Sequence, residues 1–457
     1  MTTNGVTTKL AQPGQLPAEN LALKQALWIV VYFGLILSPL FLLIALPHQA
    51  GREFYRDFSV ALGYVGLAMM GLQLVPTARL PFLANVFHMD TLYSMHHRLS
   101  VLSFLLILSH PLILLAFNPK TLVLLNVFNT PQKTVAGVLG LLGLLLIVFS
   151  SVLRKELKIN YDVWKVAHSL LTIGICVAAL VHIFGMNYYT AAPEQRALWI
   201  GMAALWAVML LYVRVITPLR LMQTPYEVAE IRPECNQTYT LSLRPLDHAR
   251  MNFKPGQVAW ITSGRSPFAY RKHPFSISSS AENGDRLEFS IKELGDFTTT
   301  IKDLQPGSKV YVDGPYGVFD VERCGQCGLV LIAGGIGAAP VMSILRTLAD
   351  RRDKRPVYFF YGNLDEECII FGDDIAALEK RLNMKVIHVL ERPTSGCWEG
   401  ECGYITHEIL EKDLPGNASE MTYFLCGPLP MIQSVENSLA AMQVPPANVY
   451  SERYDMA

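Results

Sequence analysis

The chain of 457 residues is 51% hydrophobic and only 17% charged, with 38 basic residues balancing 38 acidic ones. That length allows two or three domains, and the apolar excess is out of place in a soluble enzyme of this size. A net charge of zero gives no electrostatic reason to expect a nucleic-acid partner, so none is predicted.

Residues 1–22 read as a polar tail without an obvious cleavage site, so a removable signal peptide is not expected. The apolar residues then concentrate in six segments, 23–46, 58–75, 92–117, 135–153, 163–184 and 197–215, each long enough to cross a bilayer. Residues 23–220 are therefore predicted to form a six-helix transmembrane bundle in contact with membrane lipid. Arg154, Lys155, Lys158 and Lys165 cluster between the fourth and fifth segments, and Arg214 and Arg220 follow the sixth. Loops on the other side carry balanced charge, such as Arg52 with Glu53 and Arg56 with Asp57. The positive-inside rule then places both termini in the cytoplasm. The expected localisation is integral and multi-pass, and the compact form points to a bacterial inner membrane.

The third and fifth segments carry matched histidines, His96 with His110 and His168 with His182, each pair 14 residues apart. At about 100° per residue that step falls roughly 40° short of four full turns, so both rings face nearly the same way, with a rise of roughly 21 Å. The two segments run in the same direction, putting His96 and His168 near the inner face and His110 and His182 near the outer one. A lone histidine on an apolar helix is commonly structural, yet ionisable groups at membrane depth are rare and usually functional. Identical spacing on two helices is the geometry that holds two bis-histidine haems, so these four are predicted metal ligands. His97 is the alternative to His96, although its 13-residue step to His110 rotates the pair by roughly 140°.

After Arg220 the pattern shortens. TYTLSL, QVAWIT, LEFSIKEL and KVYVDG read as strands of a small antiparallel β-barrel over residues 221–322. Within it, Arg271-Lys272-His273-Pro274-Phe275-Ser276 combines positive charge, an aromatic face and a hydroxyl, which suit a phosphate and a flavin ring. Lys292, Gly295 and Thr298 outline a second phosphate-sized turn; the alternative for both is an ordinary basic loop. Residues 323–457 read as a Rossmann-like α/β domain, with strands LVLIA, VYFFYGN, KVIHVLE and MTYFLCG separated by helical stretches. The glycines of Gly334-Gly335-Ile336-Gly337-Ala338-Ala339-Pro340 would let the backbone approach a pyrophosphate at a helix N-terminus, unless the turn is purely structural. Cys426-Gly427-Pro428 closes a second strand expected at the same carboxyl edge. The eight cysteines lie mostly in this cytoplasmic half, where disulfides are not expected. Cys324 and Cys327 form an isolated CxxC, without the partners that a zinc or plant-type iron–sulfur site needs.

These motifs, in this order on these elements, resemble the ferric reductase and NADPH oxidase superfamily of membrane flavocytochromes over nearly the whole chain after residue 20. The resemblance implies FAD, two b-type haems and NADH or NADPH as cofactors. His273-Pro274-Phe275-Ser276 is similar to the family's flavin motif, implying that His273 contacts the FAD pyrophosphate, Phe275 packs near the flavin and Ser276 lies by its reactive nitrogen. KELGDFT implies phosphate-binding roles for Lys292 and Thr298 around Gly295. GGIGAAP resembles the dinucleotide turn of Gly334, Gly335, Gly337 and Pro340, and CGPLPM the segment that sets Cys426, Gly427 and Pro428 beside the nicotinamide. SERYDMA looks like the closing segment whose aromatic, here Tyr454, covers the flavin. Ser276, Cys426 and Tyr454 are thus the implied catalytic positions.

Four departures refine the expectation. Ala339 replaces the usual Thr of the dinucleotide turn. Asp365 of Asn363-Leu364-Asp365 would repel a 2′-phosphate, favouring NADH. Leu114 stands where animal-type oxidases carry a further histidine, and Pro111 follows His110, which argues against dedicated superoxide production. No EF-hand pattern precedes the first span. The predicted activity is electron transfer from cytoplasmic NAD(P)H through FAD and two haems to an external acceptor, ferric iron or another metal ahead of oxygen. The rivals are an oxygen-reducing oxidase, a donor subunit for a partner redox protein, and a flavin reductase on a haem-free anchor.

Overall fold

A computed structural model describes residues 18–46, 52–84, 86–126, 128–264, 266–282, 284–319, 321, 328–394 and 398–453. Cys324, Cys327 and Tyr454 lie outside these residues.

Among the described residues, six helices are long and apolar enough to cross a membrane: Leu21–Ala45, Phe54–Thr77, Met89–Phe117, Gln132–Val152, Tyr161–Met186 and Pro193–Gln223. Several run past the apolar segments read from sequence, because a helix ends where its backbone is capped rather than where its side chains turn polar. The third begins at Met89 with Asp90 in its first turn, where a carboxylate favours the helix dipole. The fifth is started by Asn160, whose side chain accepts from the amides of Asp162 and Val163. The sixth continues through a π-helical turn, Tyr212–Ile216, into Thr217–Gln223.

The spans associate in two tight pairs, second with third and fourth with fifth, while the third and fifth are not packed backbone to backbone. Small residues make the close approaches, as expected where lipid supplies no hydrophobic drive between helices. Gly66 admits Ile107, and its carbonyl accepts from the Ser103 hydroxyl at 2.8 Å. Gly137, Gly140 and Gly143 recur every three residues along the fourth span and face His182, Ala178 and Ile175 of the fifth. The core they enclose includes Tyr64, Leu67, Leu144, Ile175 and the fully buried Trp199. Leu105, Leu139, Leu146, Phe149, Leu170 and Val177 are exposed on the outer surface of the bundle, as lipid-facing residues are.

Six strands follow: β1 (Tyr226–Pro233), β2 (Thr238–Pro245), β3 (Val258–Ser263), β4 (His273–Ser276), β5 (Leu287–Lys292) and β6 (Lys309–Tyr316). They form an antiparallel sheet in the order β4-β3-β6-β1-β2-β5. The edges meet through the Ile277–Phe289 bridge and the Ser278 amide donating to the Glu288 carbonyl at 2.8 Å. That contact rolls the sheet into a barrel around Leu241, Leu243, Ile261, Phe289 and Ile301.

The last domain is a parallel sheet of β7 (Leu329–Gly334), β8 (Val357–Asn363), β9 (Met384–Leu390), β10 (Glu401–Cys402), β11 (Thr422–Gly427) and β12 (Val449–Arg453). Its order is β10-β9-β8-β7-β11-β12, all neighbours parallel. Apolar cores fill both faces, which is why the strands read as continuous hydrophobic runs rather than alternating ones. The chain order reverses between β7 and β11, the place where an open α/β sheet binds its ligand.

The three domains are joined by buried polar contacts. Ser343 and Thr347 of the helix Ala338–Asp350 hydrogen-bond the barrel backbone at Ser279 and Ala281. On the membrane side Arg79 pairs with Asp313 at 3.1 Å, with both side chains nearly sealed from water. The Tyr316 hydroxyl also donates to Asp313, at 2.6 Å, and Trp260 lies under the Arg79 guanidinium at 5.0 Å.

Candidate functional site

The dinucleotide turn is built from glycine and backbone. Gly335 has a φ of +53°, the left-handed region that glycine enters without a Cβ penalty. At Gly337 a Cβ would overlap the Cys426 carbonyl, so the turn after β7 lies directly against the end of β11. Gly334 and Gly427 are packed on Met431, and the backbone of each lies close to the other. Pro340 sits buried in the first turn of the following helix, and Tyr361 donates to the Gly335 carbonyl at 3.2 Å. Gly334, Gly335, Gly337, Pro340, Cys426, Gly427 and Pro428 therefore gather at one carboxyl edge, where two helices begin. Asp365 serves locally as well, accepting from the Cys368 amide at 3.0 Å.

On the barrel, His273 begins β4 and stacks on Phe297 with ring centroids 4.1 Å apart and planes 19° off parallel. Phe275 lies 6.0 Å from the same ring, and Ser276 is buried at the strand end. Burial, aided by Lys165 and Arg271 and opposed by Asp162, pushes the His273 imidazole down to about 4. It is neutral at physiological pH, so its 3.9 Å approach to Asp162 is not an ion pair. Lys272 beside it is lowered to about 8 by burial and by Arg79 and Arg214. Lys292 ends β5. The Thr298 hydroxyl accepts from the Leu294 and Gly295 amides at 2.8 and 2.9 Å and donates to the Gly295 carbonyl. Its hydroxyl closes that turn.

In the bundle, the His110 and His182 rings face each other with centroids 6.5 Å apart. Two metal–imidazole bonds of about 2 Å plus the half-widths of two rings come to roughly 6 Å, so the separation fits one iron between them. Nδ1 of His182 donates to the Lys133 carbonyl at 2.8 Å, fixing the tautomer that leaves Nε2 with its lone pair. Neighbouring helices make room for both rings. A Cβ at Gly137 would lie 2.7 Å from His182 Nδ1, and one at Gly63 would lie 3.5 Å from the His110 ring. At the other level of the bundle His96 and His168 lie within each other's electrostatic reach, and Trp164 packs 4.9 Å from His168. The Nδ1 atoms of His96, His110 and His168 are buried without a hydrogen-bond partner. His97 is exposed, whereas His96 is half-buried. Among the described residues no three His, Cys, Asp or Glu gather into a metal cage, and a bis-histidine haem asks for only two per iron.

Sequence reasoning missed several residues. Phe297 lies inside a motif that drew attention for its lysine and threonine, and only the fold stacks it on His273. Gly63 and Gly137 sit on spans that bear none of the four histidines. Glu452, one residue from Arg453 at the end of β12, pairs in register with Cys426. Burial, with Asp90 adding to it, raises its carboxyl to about 8.

Comparison with known proteins matches residues 62–179 to the ferric reductase like transmembrane component, 234–320 to an FAD-binding domain and 331–437 to an oxidoreductase NAD-binding domain. The chain is 30% identical over 195 residues to NADH-cytochrome b5 reductase 1 of Candida glabrata, covering 42% of this chain and 68% of that one. It is 28% identical over 236 residues to the reductase component of propane 2-monooxygenase from Mycolicibacterium smegmatis, covering 50% of this chain and 66% of that protein. Among solved structures it is similar to the ferredoxin reductase in carbazole 1,9a-dioxygenase, with a TM-score of 0.45, 25% identity, and coverage of 50% and 69%. A transmembrane component followed by FAD- and NAD-binding domains in one chain makes this an integral, multi-pass NAD(P)H-dependent flavin oxidoreductase, and it belongs to the ferric reductase and NADPH oxidase superfamily.

Proposed function

We propose that the protein carries electrons from cytoplasmic NAD(P)H across a membrane to an acceptor on the far side, using FAD and two bis-histidine haems. The observation that carries this reading is the pair His110 and His182, ring centroids 6.5 Å apart, with Gly63 and Gly137 of the neighbouring spans leaving space beside the two rings. When bound, FAD accepts a hydride from the dinucleotide and releases electrons singly, and the haems relay them. The chain supplies position and electrostatics. Gly334, Gly335 and Gly337, packed against the end of β11, would let backbone amides approach the dinucleotide phosphates, and Cys426 and Ser276, both buried at strand ends, would flank the place where nicotinamide and flavin meet. His273 stacks on Phe297 and stays uncharged, an apolar wall and a hydrogen-bonding group together. His96 with His168 would hold the inner haem and His110 with His182 the outer one. Tyr454 would cover the flavin. Both termini lie on the cytoplasmic side, and the membrane is the inner membrane of a bacterium.

With His110 and His182 both serving as ligands, an outer haem would have no open position for oxygen, which favours ferric chelates or other diffusing acceptors. Asp365 at the end of β8 favours NADH. The test is the visible spectrum of the purified protein under anaerobic conditions during addition of NADH, then NADPH. Growth of a reduced b-type band with loss of flavin absorbance supports the whole chain and ranks the donors. Flavin bleaching in a preparation that cannot take up haem would leave the bundle as an anchor and overturn the reading.

A further inference from the structure

Two cysteines stand on opposite sides of the boundary between the barrel and the dinucleotide domain, and the electron path above uses neither. Cys235 lies at the tip of the β1–β2 hairpin, where it is exposed as a free thiol. Cys368, also free and half-buried, ends the short turn Glu366–Cys368 that follows β8 at the carboxyl edge of the parallel sheet. Asn236, the residue after Cys235, reaches across the boundary and donates its side-chain amide to the Cys368 sulfur at 3.2 Å.

Both sides of this contact are held in place. Asn236 and Gln237 have φ of +53° and +52°, and the Thr238 amide donates to the Cys235 carbonyl at 3.2 Å, closing a tight hairpin turn. The Gln237 carbonyl accepts from the Glu293 amide at 3.0 Å, which fastens the tip beside Lys292. Opposite, the Asp365 carboxylate accepts from the Cys368 amide at 3.0 Å. A disulfide asks for Cα atoms within about 7 Å of each other. Asn236 already touches the Cys368 sulfur, so Cys235 is one residue step, about 3.8 Å, from that position. Closing the step draws the hairpin tip towards the carboxyl edge, so the bridged arrangement is narrower than the reduced one.

The two thiols suit different steps. Exposure makes Cys235 the sulfur that a dissolved oxidant meets first. Burial, with the Asp365 carboxylate adding to it, raises the Cys368 thiol, which leaves it to act second, on a partner already tethered beside it.

We propose that Cys235 and Cys368 form a reversible disulfide that clamps the hairpin over the dinucleotide edge and shuts out NADH under oxidising conditions. The gating rests on the reading that the dinucleotide binds at that edge. The oxidant is a small-molecule disulfide. The Cys235 thiolate attacks it, forming a mixed disulfide and expelling one small thiolate. The Cys368 thiolate then attacks the Cys235 sulfur and expels the second. Two electrons leave the protein, the two thiol protons end on the two released small thiols, and excess dithiol reverses both steps. Disulfides in a reducing cytoplasm are transient and redox-sensing, which fits a gate rather than a permanent staple.

The experiment uses the full-length protein in lipid nanodiscs, comparing wild type with Cys235→Ser and Cys368→Ser. Each is equilibrated with oxidised glutathione or with dithiothreitol. Peptide mass mapping without reduction identifies any bridge, and dye reduction at the flavin gives kcat and KM for NADH. Oxidised wild type should yield the peptide bridged between Cys235 and Cys368. Its kcat/KM should fall by about tenfold, mostly through KM, as a lost binding contribution does. Dithiothreitol should restore it, and neither serine variant should respond. Glutathione on Cys235 with no bridge, a bridge among other cysteines only, or a Cys235–Cys368 bridge with unchanged kcat/KM each overturns the proposal. Failure of NADH to reduce the flavin in dithiothreitol-treated wild type would remove the dinucleotide reading itself, and the gate with it.

Discussion

The two halves of the molecule build their sites in opposite ways. In the soluble half the dinucleotide turn is made of backbone: Gly335 at positive φ, Gly337 against the Cys426 carbonyl, and strands β7 and β11 in parallel register. In the membrane half the site is made of side chains on two helices that barely touch, His110 meeting His182 across the gap between the third and fifth spans. Water and hydrophobic burial close the first kind of site around a local motif. Lipid offers helices no such drive, so close packing falls to glycines on the partner spans. A backbone site is written in contiguous residues, and a bundle site is distributed over neighbours that never touch the ligand.

The largest effect should come from breaking the membrane half alone. Replacing His168 by Ala should remove the inner haem and cut NADH-driven reduction of an external ferric chelate by more than about 100-fold. Reduction of an artificial dye at the flavin should persist. A variant that kept two haems and full transfer would end the assignment of the four histidines. Breaking the soluble half alone comes next. Ala at Gly337 would drive its Cβ into the Cys426 carbonyl, an overpacking cost of about 3 kcal/mol, which as a lost transition-state interaction is roughly 100-fold. Stopped-flow mixing with NADH should show flavin reduction slowed on that scale while the haem spectrum is untouched. Normal flavin reduction would mean that the turn does not hold the dinucleotide.

A smaller effect separates the halves by pH. His273 titrates at about 4 in the native barrel against an ordinary value of 6.5, chiefly through burial. On acidification the unfolded chain therefore binds this proton first, so its contribution to stability is complete above pH 6.5 and declines as pH falls toward 4. The thermal unfolding midpoint of the flavin domain should drop over that window, and His273→Gln should flatten the drop. An equal pH dependence in wild type and variant would show that some other group sets it.

How much was readable in advance follows the same division. The Rossmann-like turn, the flavin motif and the six spans were legible because each is a contiguous pattern whose period or composition reports its own surroundings. The roles of Phe297, Arg79 with Asp313, and Gly137 were not, since each depends on a partner distant in sequence: His273 for Phe297, another domain for Arg79, and another span for Gly137. Thr298 has a local role that its motif did not announce: its hydroxyl accepts from the Leu294 and Gly295 amides. Helix ends were misplaced by a few residues because hydropathy marks the apolar centre of a span, while Asn160 and the turn at Tyr212–Ile216 set where helices begin and continue.

The finest test asks whether the two adjacent histidines of the third span can be told apart. His96 is half-buried with Nδ1 sealed from water, and it lies within electrostatic reach of His168. His97, turned about 100° further around the helix, is exposed. Replacing His97 by Ala should change stability by less than about 0.5 kcal/mol and leave the haem content whole, as a surface substitution does. Replacing His96 by Ala should abolish the inner haem. Quantitative haem analysis of the pair discriminates sharply, because one rotation step separates a ligand from a bystander. If His97→Ala lost the haem and His96→Ala kept it, the inner site would be turned by that step and the 14-residue spacing would no longer describe it. The pairing with His168 would then need a third span rotated on its axis, and its glycine contacts with the second span could not survive that rotation.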